Sequence, residues 1–300
     1  MTWIDTHVHV SAYSADGQPR PALLQELLAV QEAAAHDLRF VISADGAEMS
    51  RIAQQPEAAF EVNRFIHELV SRAPHRLYGG CMVNPNYVDQ ALRTMDAAFG
   101  EWGFVQLGEI LPYTMGHTLD CPPMRRLAAL AADIGVPVQA HVSTSNARSH
   151  ASSFGAEQLE DLMDLMERVP AARYVIAHAV GTPKADPPVI DGYLDQVGRR
   201  FGQWPDNLWI EIRDFDSPGV PSALQRVPHN RILAGTDWVT RVGPPFLPYG
   251  VIFGVTQARD NPYPPSIEAM LGFLKDAGAD AQTVERIAFR NAAQLLTISV

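Results

Sequence analysis

Short β-type runs alternate with amphipathic helical stretches along this 300-residue chain, and that rhythm leaves few architectures open. The β-type runs, each ending in polar or turn residues, are Trp3–Val10, Leu38–Ala44, Arg76–Val83, Gly103–Ile110, Val136–Val142, Arg173–Ala179, Asn207–Arg213 and Arg231–Thr236. Helical periodicity marks Ala22–Ala35, Glu57–Ser71, Tyr87–Glu101, Pro122–Ile134, Ala156–Arg168, Val189–Phe201 and a short Ser222–Arg226, followed by Ser266–Ala277 and Ala281–Leu295. Strand, helix, strand is a right-handed crossover unit, so its repetition predicts a parallel sheet, and eight strands are the number that closes a (β/α)8 (TIM) barrel. An open doubly wound sheet is the second possibility. It requires a glycine-rich phosphate turn after the first strand, and Val10-Ser11-Ala12-Tyr13 offers none. No linker-like tract, charge run or repeat interrupts the pattern, so residues 1–300 are expected to form one α/β domain.

Composition narrows the partners. Hydrophobic residues make up 47% of the chain, enough for a large core. The net charge of −11 gives no basic field to recruit polyanions, which disfavours nucleic acid and anionic membranes and leaves a small-molecule substrate. Cys81 and Cys121 are too far apart for a Cys-x-x-Cys unit, so no thiolate metal site or disulfide framework is expected and a reducing, cytoplasmic setting is the default. Polar Asp5 and His7 follow the initial Met almost at once, and no apolar run reaches the roughly 18 residues of a membrane span, so neither signal peptide nor span is expected.

The polar residues fall in a pattern. His7 and His9 stand two apart on the first strand candidate, so simple alternation points both rings inward with Trp3 and Asp5, where they can grip one cation. Alone, such a pair is as readily two satisfied core histidines. Context comes from other strand ends: Glu109 closes the fourth run, His141 the fifth and His178 the sixth, and Asp237 follows the eighth. In a barrel these ends share one rim, so the ligand and acid–base residues are expected to meet there. Singly, Asp237 reads as a helix cap and Glu109 as an arginine partner. Together, four imidazoles and two carboxylates buried at one place call for a metal, because desolvating them without partners costs too much.

The segments Ile4-Asp5-Thr6-His7-Val8-His9, Leu107-Gly108-Glu109-Ile110, Val138-Gln139-Ala140-His141, Val175-Ile176-Ala177-His178 and Ala234-Gly235-Thr236-Asp237 resemble the amidohydrolase superfamily, in particular its amidohydrolase 2 branch. Asn63-Arg64-Phe65, Pro74-His75-Arg76-Leu77, Val83-Asn84-Pro85 and the closing Arg290-Asn291-Ala292-Ala293-Gln294-Leu295-Leu296 extend the likeness from residue 1 to about 297. The resemblance implies a (β/α)8 barrel in which His7, His9 and Asp237 hold a metal and His141 is a further ligand. His178 is then either a ligand or a hydrogen-bond donor to the reacting group. Many relatives carry a carboxylated lysine on the fourth strand; this chain has Glu109 there, like members in which a glutamate is a direct or bridging ligand, and one ion or two both fit.

Zn²⁺ is the ion expected from the ligand types, and it lowers the pKa of bound water to about 7. The main expectation is hydrolysis of a lactone, ester or amide, with Asp237 as general base and the carbonyl polarised by the metal or by His178. The alternative, on the same fold and metal, is non-oxidative decarboxylation of an aromatic or enol carboxylic acid, where metal and Asp237 manage a proton. Glu109 inclines the reading to hydrolysis, since the decarboxylases among such relatives usually bind one metal without a glutamate on this strand. A non-catalytic binding protein on the same barrel is the third class.

Alternation along Leu208-Trp209-Ile210-Glu211-Ile212-Arg213 places Trp209, Glu211 and Arg213 on the inner face. Arg213 is therefore expected to clamp a substrate carboxylate at the mouth, or else to neutralise Glu211 or Asp214. The Pro- and aromatic-rich stretch Trp238–Ser266 reads as a lid or as a contact in a homo-oligomer. Trp238, Arg241, His117, Arg148 and His150 are second-rank substrate residues, each as readily solvated surface. His36, His67, His75 and His229 fall in or beside helical stretches and receive no chemistry.

Overall fold

The computed structural model of the chain describes residues 1–143, 155–181, 189–241 and 267–299. Its strands are β1 (Thr2–Val10), β2 (Asp37–Ala44), β3 (Leu77–Cys81), β4 (Gln106–Ile110), β5 (Val138–His141), β6 (Tyr174–Val180), β7 (Leu208–Ile212), β8 (Ile232–Ala234) and β9 (Trp238–Val239). They form one sheet in the order β8-β7-β6-β5-β4-β3-β2-β1-β9, and every pairing is parallel. With helices between successive strands, the chain folds as a (β/α)8 barrel.

The eighth stave differs from the single run expected over Arg231–Thr236. It is built in two steps: β8 pairs with β7, and β9, only three residues later, pairs with β1. At the break the Asp5 side chain replaces missing backbone partners, accepting from the Thr236 amide (2.9 Å), the Thr236 hydroxyl (2.5 Å) and the His7 amide (3.1 Å). Burial pushes the Asp5 carboxyl up to about 6, and these hydrogen bonds pull against it. The break also delivers Asp237 to the rim.

A second irregularity corrects the alternation expected for β1. The register against β2 shifts between Asp5 and Val8, so the parity of the strand changes. Trp3 consequently turns outward onto Phe215, ring centroids 5.6 Å apart, while Ile4 points inward. His7 and His9 still face the interior, in edge-on contact.

The barrel interior is stratified. At its amino end Ile4, Val41, Val175, Trp209 and Leu233 pack with Ala292, Leu295, Leu296 and Ile298 of the C-terminal segment, which closes the barrel from below. Above them lies a buried polar network in which Gln106 donates to Gln139 (3.0 Å), and Gln139 and Thr6 donate to Glu211 (2.6 and 2.9 Å). Outward-facing residues such as Val8, Ile42, Ile176, Ile210 and Ile212 form the larger core against the helices. Each such fully buried aliphatic side chain contributes about 1.5–3 kcal/mol, and that shell is what fixes the strand ends.

Helix α1 (Leu23–Ala33) follows the expected periodicity, but among the described residues two α-helices were not evident from it: α2 (Gly46–Gln54), which Asp45 caps, and the one-turn helix Pro112–Met115. Both directly follow strands, so they shape the rim. Gly108 is a position where glycine is required: φ is +126°, and a Cβ would lie 2.3 Å from the Gln139 carbonyl oxygen. Gly108→Ala is expected to lower the unfolding free energy by on the order of 3 kcal/mol in urea titrations. Gly103→Ala, at φ +67° with nothing within 4 Å, should lose about 1 kcal/mol. Equal losses would remove the steric argument.

Candidate metal centre

Four strand ends and the break in the eighth stave bring His7, His9, Glu109, His141, His178 and Asp237 together. Two groups form around one shared residue. In the first, the His7 and His9 Nε2 atoms lie 3.0 Å apart, with Glu109 Oε2 at 3.4 and 3.3 Å and Asp237 Oδ1 at 3.6 and 3.2 Å. In the second, Glu109 Oε1 lies 2.9 Å from His141 Nδ1 and 3.0 Å from His178 Nε2, and those two nitrogens are 3.0 Å apart. Glu109 thus turns one oxygen to each group.

Hydrogen bonds on the far side of the rings decide what the first group can hold. The Nδ1 of His9 lies 2.7 Å from the Ala44 carbonyl, which can only accept, so that nitrogen carries the hydrogen. The Nδ1 of His7 lies 2.9 Å from the Glu211 carboxylate, which imposes the same tautomer. Both Nε2 atoms therefore present lone pairs to each other and to two carboxylate oxygens. Acceptors that converge in this way, all buried, fit a cation. Among the described residues, this donor set is that of a divalent-metal site.

The electrostatics agree. Burial pulls His7 down, but Glu211, Glu109 and Asp237 outweigh it and hold the ring well above the usual imidazole range. His9 is likewise opposed by burial yet raised to about 9 by its hydrogen bonds to Asp237 and Glu109. Burial pushes Glu109 and Asp237 up, and the neighbouring imidazoles, with Arg213 for Asp237, drive both well below the ordinary carboxylate range. His178 goes the other way, kept neutral by burial and by the adjacent His141. His178 and Asp237 also have positive φ, 42° and 56°, a conformation that costs of order 1–3 kcal/mol and is held in place by the surrounding hydrogen bonds.

The other residues that the sequence singled out divide. Arg213 is 4% exposed, and its guanidinium donates to Asp237 Oδ2 at 2.9 Å and to the Gly181 carbonyl, so it holds a ligand of the centre. Its charge also acts on the adjacent Asp214, pulling that carboxyl down against the burial that raises it, in line with the second expectation for Arg213. Trp238 packs on Phe40 in the shell outside the barrel, centroids 5.7 Å apart, which takes it away from the mouth. Arg241 donates to Asp45 at the rim, and His117 bonds the adjacent Thr118 carbonyl. Arg148, His150 and the stretch from residue 242 to 266 lie outside the described residues. His36 pairs with Glu268, His67 stacks on Trp102 and His229 meets Thr283, all away from the rim.

Three contributors were not assigned a role from the sequence. Glu211, fully buried, accepts from Thr6, Gln139, His7 and the His178 amide. An acidic residue in the middle of an otherwise apolar strand was its signal. Asp5 braces Thr236 beside Asp237. Tyr113 sets its ring edge against His141, centroids 4.8 Å apart, where that ligand is partly exposed.

A family signature described as amidohydrolase matches residues 4–298, and the chain belongs to that family. Among solved structures, an amidohydrolase-type protein from Staphylococcus aureus superposes with a TM-score of 0.70 at 15% identity, covering 99% of this chain and 100% of the other. A 5-carboxyvanillate decarboxylase from Sphingomonas paucimobilis gives 0.67 at 14% identity, covering 99% of each chain. A dihydroxybenzoic acid decarboxylase from Polaromonas, with bound manganese and the inhibitor 2-nitroresorcinol, gives 0.66 at 14%, covering 99% and 96%. No curated protein matches the sequence. At these identities the likeness speaks for the fold.

Glu211→Gln keeps the shape of the network and weakens the acceptor that orients His7, so metal affinity should fall roughly ten- to a hundredfold in chelator competition. An unchanged affinity would remove Glu211 from the centre. Because His9 titrates near 9 in the metal-free protein and His7 is raised as well, an ion must displace protons from these rings. Affinity should therefore climb as pH rises from neutral toward 9, and calorimetry in buffers of different ionisation enthalpy should register proton release.

Proposed function

We propose that this chain is a metal-dependent decarboxylase of a small hydroxylated aromatic carboxylic acid. The observation that carries the reading is that the Sphingomonas and Polaromonas proteins, which share the fold from end to end, are decarboxylases of such acids. This reverses the order of preference drawn from Glu109 alone. The site's chemistry supports it: a cation site and cationic side chains complement an acid, and Tyr113 beside His141 offers an aromatic wall for a flat ring.

His7, His9, Glu109 and Asp237 would hold the ion, with His141 and His178 on the far side of Glu109. When bound, a divalent ion would offset the negative charge that develops on the substrate's ring oxygen. Arg213 holds Asp237 by Oδ2, which leaves Oδ1 facing the site. Asp237, held ionised by its neighbours, first takes the proton of the substrate's hydroxyl on Oδ1 and then passes it to the ring carbon; the bond from that carbon to the carboxyl carbon breaks, its electron pair returns to the ring, carbon dioxide leaves, and the ring oxygen regains a proton from water. His178, uncharged, offers an N–H to substrate oxygen rather than a second positive charge.

Hydrolysis of a lactone, ester or amide, with Asp237 as general base, is the second reading, and one observation favours it. Glu109 divides its oxygens between two ligand groups, which is room for two ions. Zn²⁺ is consistent with the imidazole-rich set, and Mn²⁺ is the ion held by the Polaromonas structure. The reading further includes one domain over residues 1–300, a cytoplasmic setting, no nucleic-acid or membrane partner, and assembly as a homo-oligomer. No helix among the described residues is long and apolar enough to cross a membrane.

Protein loaded with Zn²⁺ or Mn²⁺ should release carbon dioxide from ortho-hydroxybenzoates in a headspace assay, and Asp237→Asn should lower that rate at least about a hundredfold. Turnover of lactones, esters or amides without carbon dioxide release would put hydrolysis first.

A further inference from the structure

The proposed substrate carries a carboxylate, and the arginine expected to receive it does not present itself. Arg213 is buried and directed to Asp237 and Gly181. Arg241 is placed differently. Its Nε donates to Asp45 Oδ2 at 2.6 Å, and neither Nη nitrogen bonds another described residue. The side chain is 24% exposed, whereas Asp45 is wholly buried. Asp45 is itself fixed, since Oδ1 accepts from the amides of Ala47 and Glu48 at 2.9 and 3.1 Å as the cap of α2.

Both ends of this pair are tied to the backbone around His9. Asp45 follows Ala44, whose carbonyl holds the His9 ring, and Ser43 two residues back places its hydroxyl 3.3 Å from the same nitrogen. On the other side Val239 is the register partner of His9, and the Thr240 amide donates to the His9 carbonyl at 2.9 Å. The guanidinium is therefore anchored at the rim beside a metal ligand, by one nitrogen, with its outer edge unclaimed among the described residues. The other cations nearby are engaged: Arg20 with Thr240 and Glu26, Arg51 with Glu48 and Glu61.

We propose that Arg241 is the carboxylate-binding residue of this site, and that Asp45 is the positioning residue that aims it. The proposal rests on the reading of the substrate as a carboxylic acid. Two parallel N–H donors on one guanidinium edge match the two oxygens of a carboxylate, a geometry that an ammonium cannot reproduce.

The test is equilibrium binding of benzoate and of its neutral isostere benzamide to the metal-loaded protein. Wild type should prefer benzoate. Arg241→Met should weaken benzoate roughly ten- to a hundredfold and leave benzamide and metal content unchanged. Arg241→Lys should recover only part of the loss, and Asp45→Asn, which keeps the capping oxygen, should weaken benzoate several-fold. Arg213→Met should lower metal affinity while leaving the preference for benzoate over benzamide in place. Equal weakening of both ligands in Arg241→Met, unchanged benzoate binding, or a wild type without preference would overturn the proposal. Retained discrimination with no carbon dioxide release from any hydroxybenzoate would instead count against the decarboxylase reading and leave this one standing.

Discussion

Two imidazole lone pairs and two carboxylate oxygens converge at the top of the barrel, and only positive charge can hold them there. Without it each acceptor would be buried against other acceptors, a penalty of several kcal/mol per group. The convergence is enforced from behind. Ala44 and Glu211 fix which nitrogen of His9 and His7 carries hydrogen, and Glu211 is in turn locked by Thr6, Gln139 and the His178 amide. One buried carboxylate thereby sets the orientation of His7 and the backbone position of His178, on strands far apart in sequence.

That constraint accounts for the irregularities of the barrel. Regular alternation along β1 would not place Ile4 in the apolar floor and both His7 and His9 at the rim, so the strand shifts register between Asp5 and Val8. A continuous eighth strand would carry Asp237 past the centre. The chain instead breaks, adopts a positive φ at Asp237, and recovers part of the lost backbone pairing through Asp5. The strain is local and sits at residues that touch the metal site, where the hydrogen bonds around it over-determine the conformation.

These facts explain what could and could not be read from the sequence. The eight-fold rhythm and the position of ligand-type residues at the ends of runs survive small errors of register, because they depend only on where strands stop. His141, His178 and Glu109 were legible for that reason. Trp3 and Trp238 were not, since their assignment depended on strict parity through a bulge or on proximity to Asp237, and both turn outward into the helix-facing shell. Glu211 was visible as an inward acidic residue, but its partner is a histidine 204 positions earlier, and no local pattern announces a contact of that span. The helix Gly46–Gln54 was missed because it is short and its buried face carries only two large apolar residues, Met49 and Ile52, beside Glu48, although Asp45 stands at its cap position.

The two arginines near Asp237 show how similar residues come to differ. Arg213 lies inside the rim, where a lone guanidinium would be costly, and the Asp237 carboxylate and Gly181 carbonyl are what make its burial tolerable. That contact leaves Asp237 one oxygen for the centre, so Arg213 acts on substrate only through the carboxylate it holds. Arg241 lies where the chain leaves the barrel, and its anchor Asp45 already has a structural task as a helix cap. An anchored guanidinium with an open edge has lost much of its side-chain freedom before a ligand arrives, so less ordering remains to oppose binding. Charge of one sign is thus divided between a buried group that fixes the chemistry and a rim group that can meet an anion, and the division follows from what each arginine's neighbours leave free.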